Sequence, residues 1–237
     1  MKVIIIIPTL NEENSIKKLV YSLKEYLKQY SVLIVDDDSL DTTQSQIIKF
    51  KKKFKKINFI FKKKNFGIGS AIKDGIKYAI QKKYDACITM DADGTHDPKK
   101  ITRMIKIIKT KKYDIVSTNR FYHNESLKKW SFYRIFLTKL RYYIVRILLN
   151  TNLDSSGNFR AYNLTKIKSK HFFLSKNKSY FYLIESLFYL EKLNYKIVEI
   201  PIILHPRTFD TSKMRFKHIL ASFISLLKLR FFNSSNF

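Results

Sequence analysis

The sequence predicts an α/β protein, one mostly parallel sheet flanked by helices, with basic amphipathic helices toward the C-terminus. Three observations carry this. In the first half, short apolar runs alternate with longer stretches of helical periodicity, the pattern of stacked βα units. Polar and acidic residues directly follow three of those runs, at the strand ends where open α/β sheets bind ligands. From Phe121 onward the composition turns basic and aromatic. The expected division is a main domain over residues 1–214, which includes the basic segment 121–150, and a basic amphipathic tail over 215–237.

Taken in order, the first apolar run, Val3 to Ile7, reads as a buried strand closed by Pro8. Glu13 to Tyr30 places Ile16, Leu19, Val20, Leu23 and Leu27 on one helical face. Val32 to Val35, Ile57 to Phe61, Ala86 to Met90 and Ile115 to Thr118 read as further strands, and Ile68 to Gln81 and Pro98 to Thr110 as helices. Pro98 suits a first helical turn, with Asp97 before it as the cap. Between Trp130 and Leu149 aromatic and aliphatic residues interleave with Arg134, Lys139, Arg141 and Arg146. A polar segment from Asp154 to Tyr162 follows, then a helix from Tyr182 to Leu193, a strand from Lys196 to Leu204 and the tail helix from Arg215 to Phe232.

Composition narrows the function. The 237 residues carry 46 Lys+Arg against 19 Asp+Glu, a formal charge of +27, which points to an anionic partner (nucleic acid, acidic headgroups or a phosphorylated substrate) or, for the scattered lysines, to a coding bias toward Lys, Ile, Asn and Phe. At 45% hydrophobic the chain can bury a sizeable core. The single cysteine, Cys87, excludes an internal disulfide, and the five histidines show no zinc-site spacing. The N-terminal run is too short for a secretory h-region and lacks a small-residue cleavage site. No stretch approaches the roughly 20 uncharged apolar residues that span a bilayer; Ile135 to Leu149 is interrupted by Lys139, Arg141 and Arg146. The expected location is the cytosol, or the surface of a membrane.

The chemistry gathers at strand ends. Asp91 and Asp93, two apart after the run Ala86 to Met90, project together, as ligands of a hard divalent cation beside a substrate diphosphate would. Asp36, Asp37 and Asp38 also end an apolar run, and three adjacent carboxylates require donors or a cation nearby. Pro8-Thr9-Leu10-Asn11-Glu12-Glu13-Asn14 ends a third.

With Asn65-Phe66-Gly67-Ile68-Gly69-Ser70-Ala71, Asn119-Arg120, Asp154 to Arg160, Val198 to Pro201 and Arg207 through Ser212-Lys213, these stretches run in one order along nearly the whole chain. In this the sequence resembles family-2 glycosyltransferases of the GT-A fold, and within them the dolichol-phosphate or polyprenyl-phosphate mannosyltransferase group. The resemblance implies that Pro8, Leu10, Glu12, Val35 and Asp37 line the nucleoside pocket. Asp91 and Asp93 would reach the ribose-diphosphate and a Mg²⁺ or Mn²⁺ ion, with Thr95 as a further ligand where the family commonly has Gln. Arg120, Arg134, Arg207 and Lys213 would neutralise donor diphosphate and acceptor phosphate, with Thr138 one helical turn after Arg134. Asp210 stands where the family has a loop glycine.

The reaction so implied is inverting transfer of a hexose to a polyprenyl (dolichyl or undecaprenyl) phosphate, with mannose from GDP first and a UDP-hexose second. The place implied is the inner, cytoplasmic face of the membrane, the chain being held peripherally by its basic aromatic helices. A second copy of the chain or a membrane protein is left open as a further partner. The rival within the family is transfer to a hydroxyl of a glycan or glycolipid, which needs a general base; Asp154 is the only obvious candidate. A nucleic-acid binder would not need converging carboxylates, and a nucleotidyltransferase would not need the matches at Arg120 and Arg207 to Lys213.

Overall fold

The structure, a computed structural model, describes residues 1–128, 130–205 and 216–232. Arg207, Asp210 and Lys213 lie outside the described residues.

Isoleucine and valine dominate the central strands because both faces of the sheet are covered. β1 (Val3–Thr9) is buried along its whole length, and β2 (Ser31–Asp36) nearly so. Together with β3 (Ile57–Phe61) and β4 (Ala86–Thr89) they form a parallel array in which Pro8 pairs with Val35 and Ile6 with Thr89. β5 (Ile115–Asn119), β6 (Arg160–Asn163) and β7 (Ile197–Pro201) complete a seven-stranded sheet of order β3-β2-β1-β4-β6-β5-β7. β6 runs antiparallel to β4 and β5, so β5 regains the direction of β4. The C-terminal ends of β1, β2, β4 and β5 therefore share one edge.

Helices cover both faces. On one side Ile16, Leu19 and Val20 of α1 (Ile16–Ser22), Ile47 and Phe50 of α2 (Thr43–Lys53) and Ile101, Met104 and Ile105 of α4 (Lys99–Lys109) pack on Val3, Ile5 and Ile7. On the other, α3 (Ile68–Gln81) and α6 (Tyr182–Lys192) cover Ile4 and Ile6 through Ile72, Ile76, Leu183 and Leu187. Each fully buried isoleucine contributes about 1.5–3 kcal/mol by leaving water.

Besides α2, which the sequence reading does not name, three elements differ from it. The helix expected over Glu13 to Tyr30 is α1 followed by a 3₁₀ turn at Tyr26–Lys28. Ser22 Oγ donates to the Leu19 carbonyl at 2.7 Å, a local bond that competes with the helical ladder where α1 ends. The polar segment after Asp154 contains β6, whose Arg160 side chain is buried. The strand expected to reach Leu204 ends at Pro201, which has no N–H for a further rung. Pro98, in place of the expected Asp97, stands at the N-cap of α4, and the Asp97 carboxylate just before it accepts from the Lys99 amide at 2.9 Å.

The basic aromatic segment is α5 (Phe132–Leu149), capped by Ser131 and closed by Asn150 in the left-handed region at φ 48°. Its last turns pack with α6 and α7 (Phe216–Phe232) through Val145, Leu149, Ile184, Leu226 and Leu229. Its other face is bare: Phe132 is 86% exposed, Tyr133 70% and Ile147 78%, with Phe136, Leu140 and Tyr143 exposed beside them. Trp130 and Ile135 instead pack against the sheet's core. Among the described residues no helix is long and apolar enough to cross a membrane.

Candidate active site

The strand ends build a cleft of about 210 Å³ lined by Pro8, Leu10 and Glu12 from the end of β1, Asp37 after β2, Gly67 before α3, and Asp91 and Asp93 after β4, with β1 between β2 and β4 in the sheet. The acidic triplet after β2 meets donors from its own chain. Asp36 is buried and accepts from the Thr9 and Ser39 hydroxyls, the Ser39 amide and the Gln44 side-chain amide, all within 2.9 Å. Asp37 accepts from the Phe66 and Gly67 amides, the latter at 2.6 Å, and pairs with the buried Lys62 at 2.9 Å. It thereby fastens the loop before α3. Gly67 sits there at φ 97°, and a Cβ on it would stand 2.7 Å from the Lys178 carbonyl oxygen, so only glycine fits.

Beyond β4, Asp93 Oδ1 accepts from the amide of Thr95 at 3.0 Å and from its hydroxyl at 2.7 Å. Asp91 Oδ1 accepts from Asn158 Nδ2 at 2.8 Å. The Asp91 amide donates to His96 Nδ1 at 3.1 Å, which leaves the ring proton on Nε2, 3.7 Å from Asp91 Oδ2. His96 is buried and stacked on Phe159, so it is a fixed support behind Asp91. No cluster of three or more His, Cys, Asp or Glu side chains forms a metal cage among the described residues. Two cleft-facing carboxylates nevertheless fit a Mg²⁺ or Mn²⁺ that takes its other ligands from a diphosphate and water.

Two strands away the same edge turns basic. Arg120, directly after β5, donates from Nε to Asp154 Oδ2 at 2.7 Å, and its amide reaches the same oxygen at 3.2 Å. Asp154 Oδ1 accepts from Ser156 Oγ at 2.9 Å and its amide at 3.4 Å. Burial alone would raise the Asp154 pKa, but the Arg120 charge and these hydrogen bonds outweigh it and hold the carboxyl below its usual range. Arg141 of α5 donates to Ser156 Oγ at 3.0 Å. Burial and the neighbouring Arg120 push its pKa down to about 10. Glu199 of β7 accepts from the Asp154 amide, Asn119 and Tyr122, and burial raises its pKa. The loop 154–158 thus ties the acidic cleft, through Asn158 and Asp91, to the basic cluster.

Of the residues singled out in the sequence, Pro8, Leu10, Glu12, Asp37, Asp91 and Asp93 do line the cleft. Val35 does not: it lies in β2, fully buried in the core that α3 covers, because its position on the pleat points it away from the strand end. Thr95 lies beside Asp91 and Asp93, giving its hydroxyl to Asp93 Oδ1 at 2.7 Å. Arg134 and Thr138 lie four apart on α5, with the Arg134 guanidinium 3.7 Å from the centroid of the Trp130 ring. Ser179 and Tyr180, which close the cleft from the segment before α6, carry no motif in the sequence. Arg141, read there as an interruption of an apolar run, faces the Arg120 cluster; its spacing of seven from Arg134 is the signal that could have found it.

Comparison with known proteins places this geometry among relatives. The family model described as "Glycosyl transferase family 2" matches residues 4–176. An undecaprenyl-phosphate mannosyltransferase of Micrococcus luteus is 28% identical over 215 residues, 90% of this chain and 88% of that protein. A polyprenol monophosphomannose synthase of Mycolicibacterium smegmatis is 24% identical over 220 residues, 92% of this chain and 83% of that one. Among solved structures, a mannosyltransferase of Pyrobaculum calidifontis in complex with GDP-Man and Mn²⁺ shares the fold at a TM-score of 0.60 and 14% identity, over 96% of this chain and 64% of that one.

Proposed function

The chain belongs to glycosyl transferase family 2, and on that premise we propose that it transfers a hexose, mannose first, from a GDP- or UDP-sugar to a polyprenyl phosphate with inversion at the anomeric carbon. One observation carries the choice of acceptor. A hydroxyl acceptor needs a general base, and the carboxylate next to the basic cluster, Asp154, is already ion-paired to Arg120 and held below its usual pKa. A phosphate oxygen is anionic as it arrives and needs no base. The names of the two mannosyltransferase relatives support the same choice.

On this reading the bond from the anomeric carbon to the donor diphosphate breaks with its electron pair on the diphosphate, as an acceptor phosphate oxygen bonds from the opposite face. Pro8, Leu10, Glu12 and Asp37 hold the nucleoside, and Asp91 faces the ribose-diphosphate. Asp91 and Asp93 would hold a Mg²⁺ or Mn²⁺, which when bound supplies charge neutralisation to the leaving diphosphate. Arg120, Arg134 and Thr138 take the acceptor phosphate. Arg207 and Lys213 contribute positive charge to both phosphate groups. Catalysis is then positioning and charge stabilisation.

The exposed aromatic face of α5, with Arg and Lys along the same helix, suits the headgroup layer on the cytoplasmic face of the membrane, where the lipid phosphate lies. Residues 1–214 are the catalytic domain and 215–237 its membrane-facing appendage.

The test is incubation with a panel of GDP- and UDP-hexoses, Mg²⁺ or Mn²⁺ and a short polyprenyl phosphate, with the lipid product read by mass spectrometry. A metal-dependent glycosyl-phosphoryl lipid is expected. Donor hydrolysis with no such lipid would overturn the acceptor and return Asp154 to the role of base.

A further inference from the structure

We propose that Arg141 is a second guanidinium of the acceptor-phosphate site, set beside Arg120 by the shared anchor of Asp154 and Ser156. The inference rests on the polyprenyl-phosphate reading above and adds to it a residue that the family resemblance did not supply.

The argument begins with charge. Asp154 is fully engaged: Oδ2 takes the Arg120 Nε and amide, and Oδ1 takes the Ser156 hydroxyl and amide. Its single negative charge is matched by Arg120 at 2.7 Å. Arg141 reaches the carboxylate only through Ser156 Oγ, at 3.0 Å, and forms no ion pair of its own among the described residues. Glu199, the other carboxylate nearby, is occupied by Asn119, Tyr122 and the Asp154 amide. Glu199 is held by neutral donors alone, so the guanidinium of Arg141 stands beside Arg120 with a hydroxyl, Ser156 Oγ, as its hydrogen-bond partner.

Geometry matches the charge. Arg134, Thr138 and Arg141 recur at intervals of four and three, so they share one face of α5, and Arg141 is the member that points at the end of β5. Arg120 keeps room on its outer edge because residue 157 is glycine; a Cβ there would stand 3.1 Å from Arg120 Nη2. The neighbouring Asn158 holds Asp91 on the donor side. A phosphate monoester bound by Arg120 and Arg141 would therefore lie one short loop from the diphosphate that leaves. Two planar forks meet the oxygens of such a group, where a lysine offers only a point charge.

The experiment compares the wild type with Arg141→Lys and Arg141→Gln. Turnover is measured against donor and polyprenyl phosphate separately, and binding of a short prenyl phosphate is followed by fluorescence of the single tryptophan, Trp130, which stacks with Arg134. The expected result is at least a tenfold rise in KM for the lipid phosphate and at least a tenfold weaker prenyl-phosphate Kd in Arg141→Lys, with donor KM within twofold of wild type. A larger loss is expected in Arg141→Gln, and should that variant fail to fold, Arg141→Lys decides alone. Unchanged acceptor KM and Kd, or an equal loss for donor and acceptor, would overturn the inference. If the wild type binds prenyl phosphate through Arg141 yet transfers no sugar to it, the proposed function fails and the site stands.

Discussion

The two halves of the ligand edge carry opposite charge and use it differently. On the acidic half, after β1, β2 and β4, Asp36 and Asp37 spend their oxygens on amides, hydroxyls and Lys62 of their own chain, while Asp91 and Asp93, with Asn158 and Thr95 as partners, line the cleft together with Glu12 and Asp37. On the basic half, after β5, Asp154 pairs with Arg120 and, through the Ser156 hydroxyl, reaches Arg141. The lesson is that a run of carboxylates in the sequence includes members that serve the fold, while an arginine read as an interruption of an apolar run lies beside Arg120.

The largest effect that would sharpen this contrast is on Asp93. Asp93→Asn keeps the shape and the Thr95 contact but removes the charge, and transfer should fall by about 10³-fold, the scale of losing one electrostatic element aimed at developing charge. Near-normal turnover in a metal-supplemented assay would place the metal and the leaving group elsewhere.

Next comes Asp154→Asn, which strips the basic half of its anchor. Removing one partner of a buried pair costs about 3 kcal/mol, so urea unfolding at pH 7 should show a loss of that order. The sign with pH is fixed by the lowered carboxyl pKa in the folded chain. The Asp154 contribution is fully present above the unfolded value of about 3.9 and is lost as pH falls through the lower folded value, so the gap between wild type and variant closes in acid. A gap that stays constant into acid would mean the Arg120–Asp154 pair is not its source.

The smallest effect on the fold is expected on α5. Phe136→Ser and Ile147→Ser remove exposed apolar side chains, so stability should change by no more than about 0.5 kcal/mol. Binding to vesicles of anionic lipid, measured by sedimentation, should fall severalfold. Undiminished sedimentation would remove the membrane role of this face.

Much of the fold was legible because its signals are local. The strand Ile57–Phe61 and the helix Ile68–Gln81 stand where periodicity puts them, since apolar runs and a 3.6-residue stripe leave little choice. α2 was not recognised: Ile47 and Phe50 are its only buried large side chains amid polar and lysine residues. β6 was missed because a strand that buries Arg160 breaks the rule that buried means apolar. The cleft was legible at the strand ends, where motif and topology coincide, and illegible at Ser179 and Tyr180, brought in by tertiary packing alone. Val35 shows the limit of a motif: one residue along a pleat is the difference between cleft and core.

Under the proposed function, the bare face of α5 also bears on what concentration means for this protein. A donor dissolved in water would meet the cleft in three dimensions, whereas a carrier held in a bilayer would meet it in two. Seated by its apolar stripe in the headgroup layer, the 18-residue helix, about 27 Å long, would turn encounter with the acceptor into a lateral search. The quantity governing the rate would then be the number of carriers per unit of membrane area, which a litre of solvent added around the vesicles leaves unchanged.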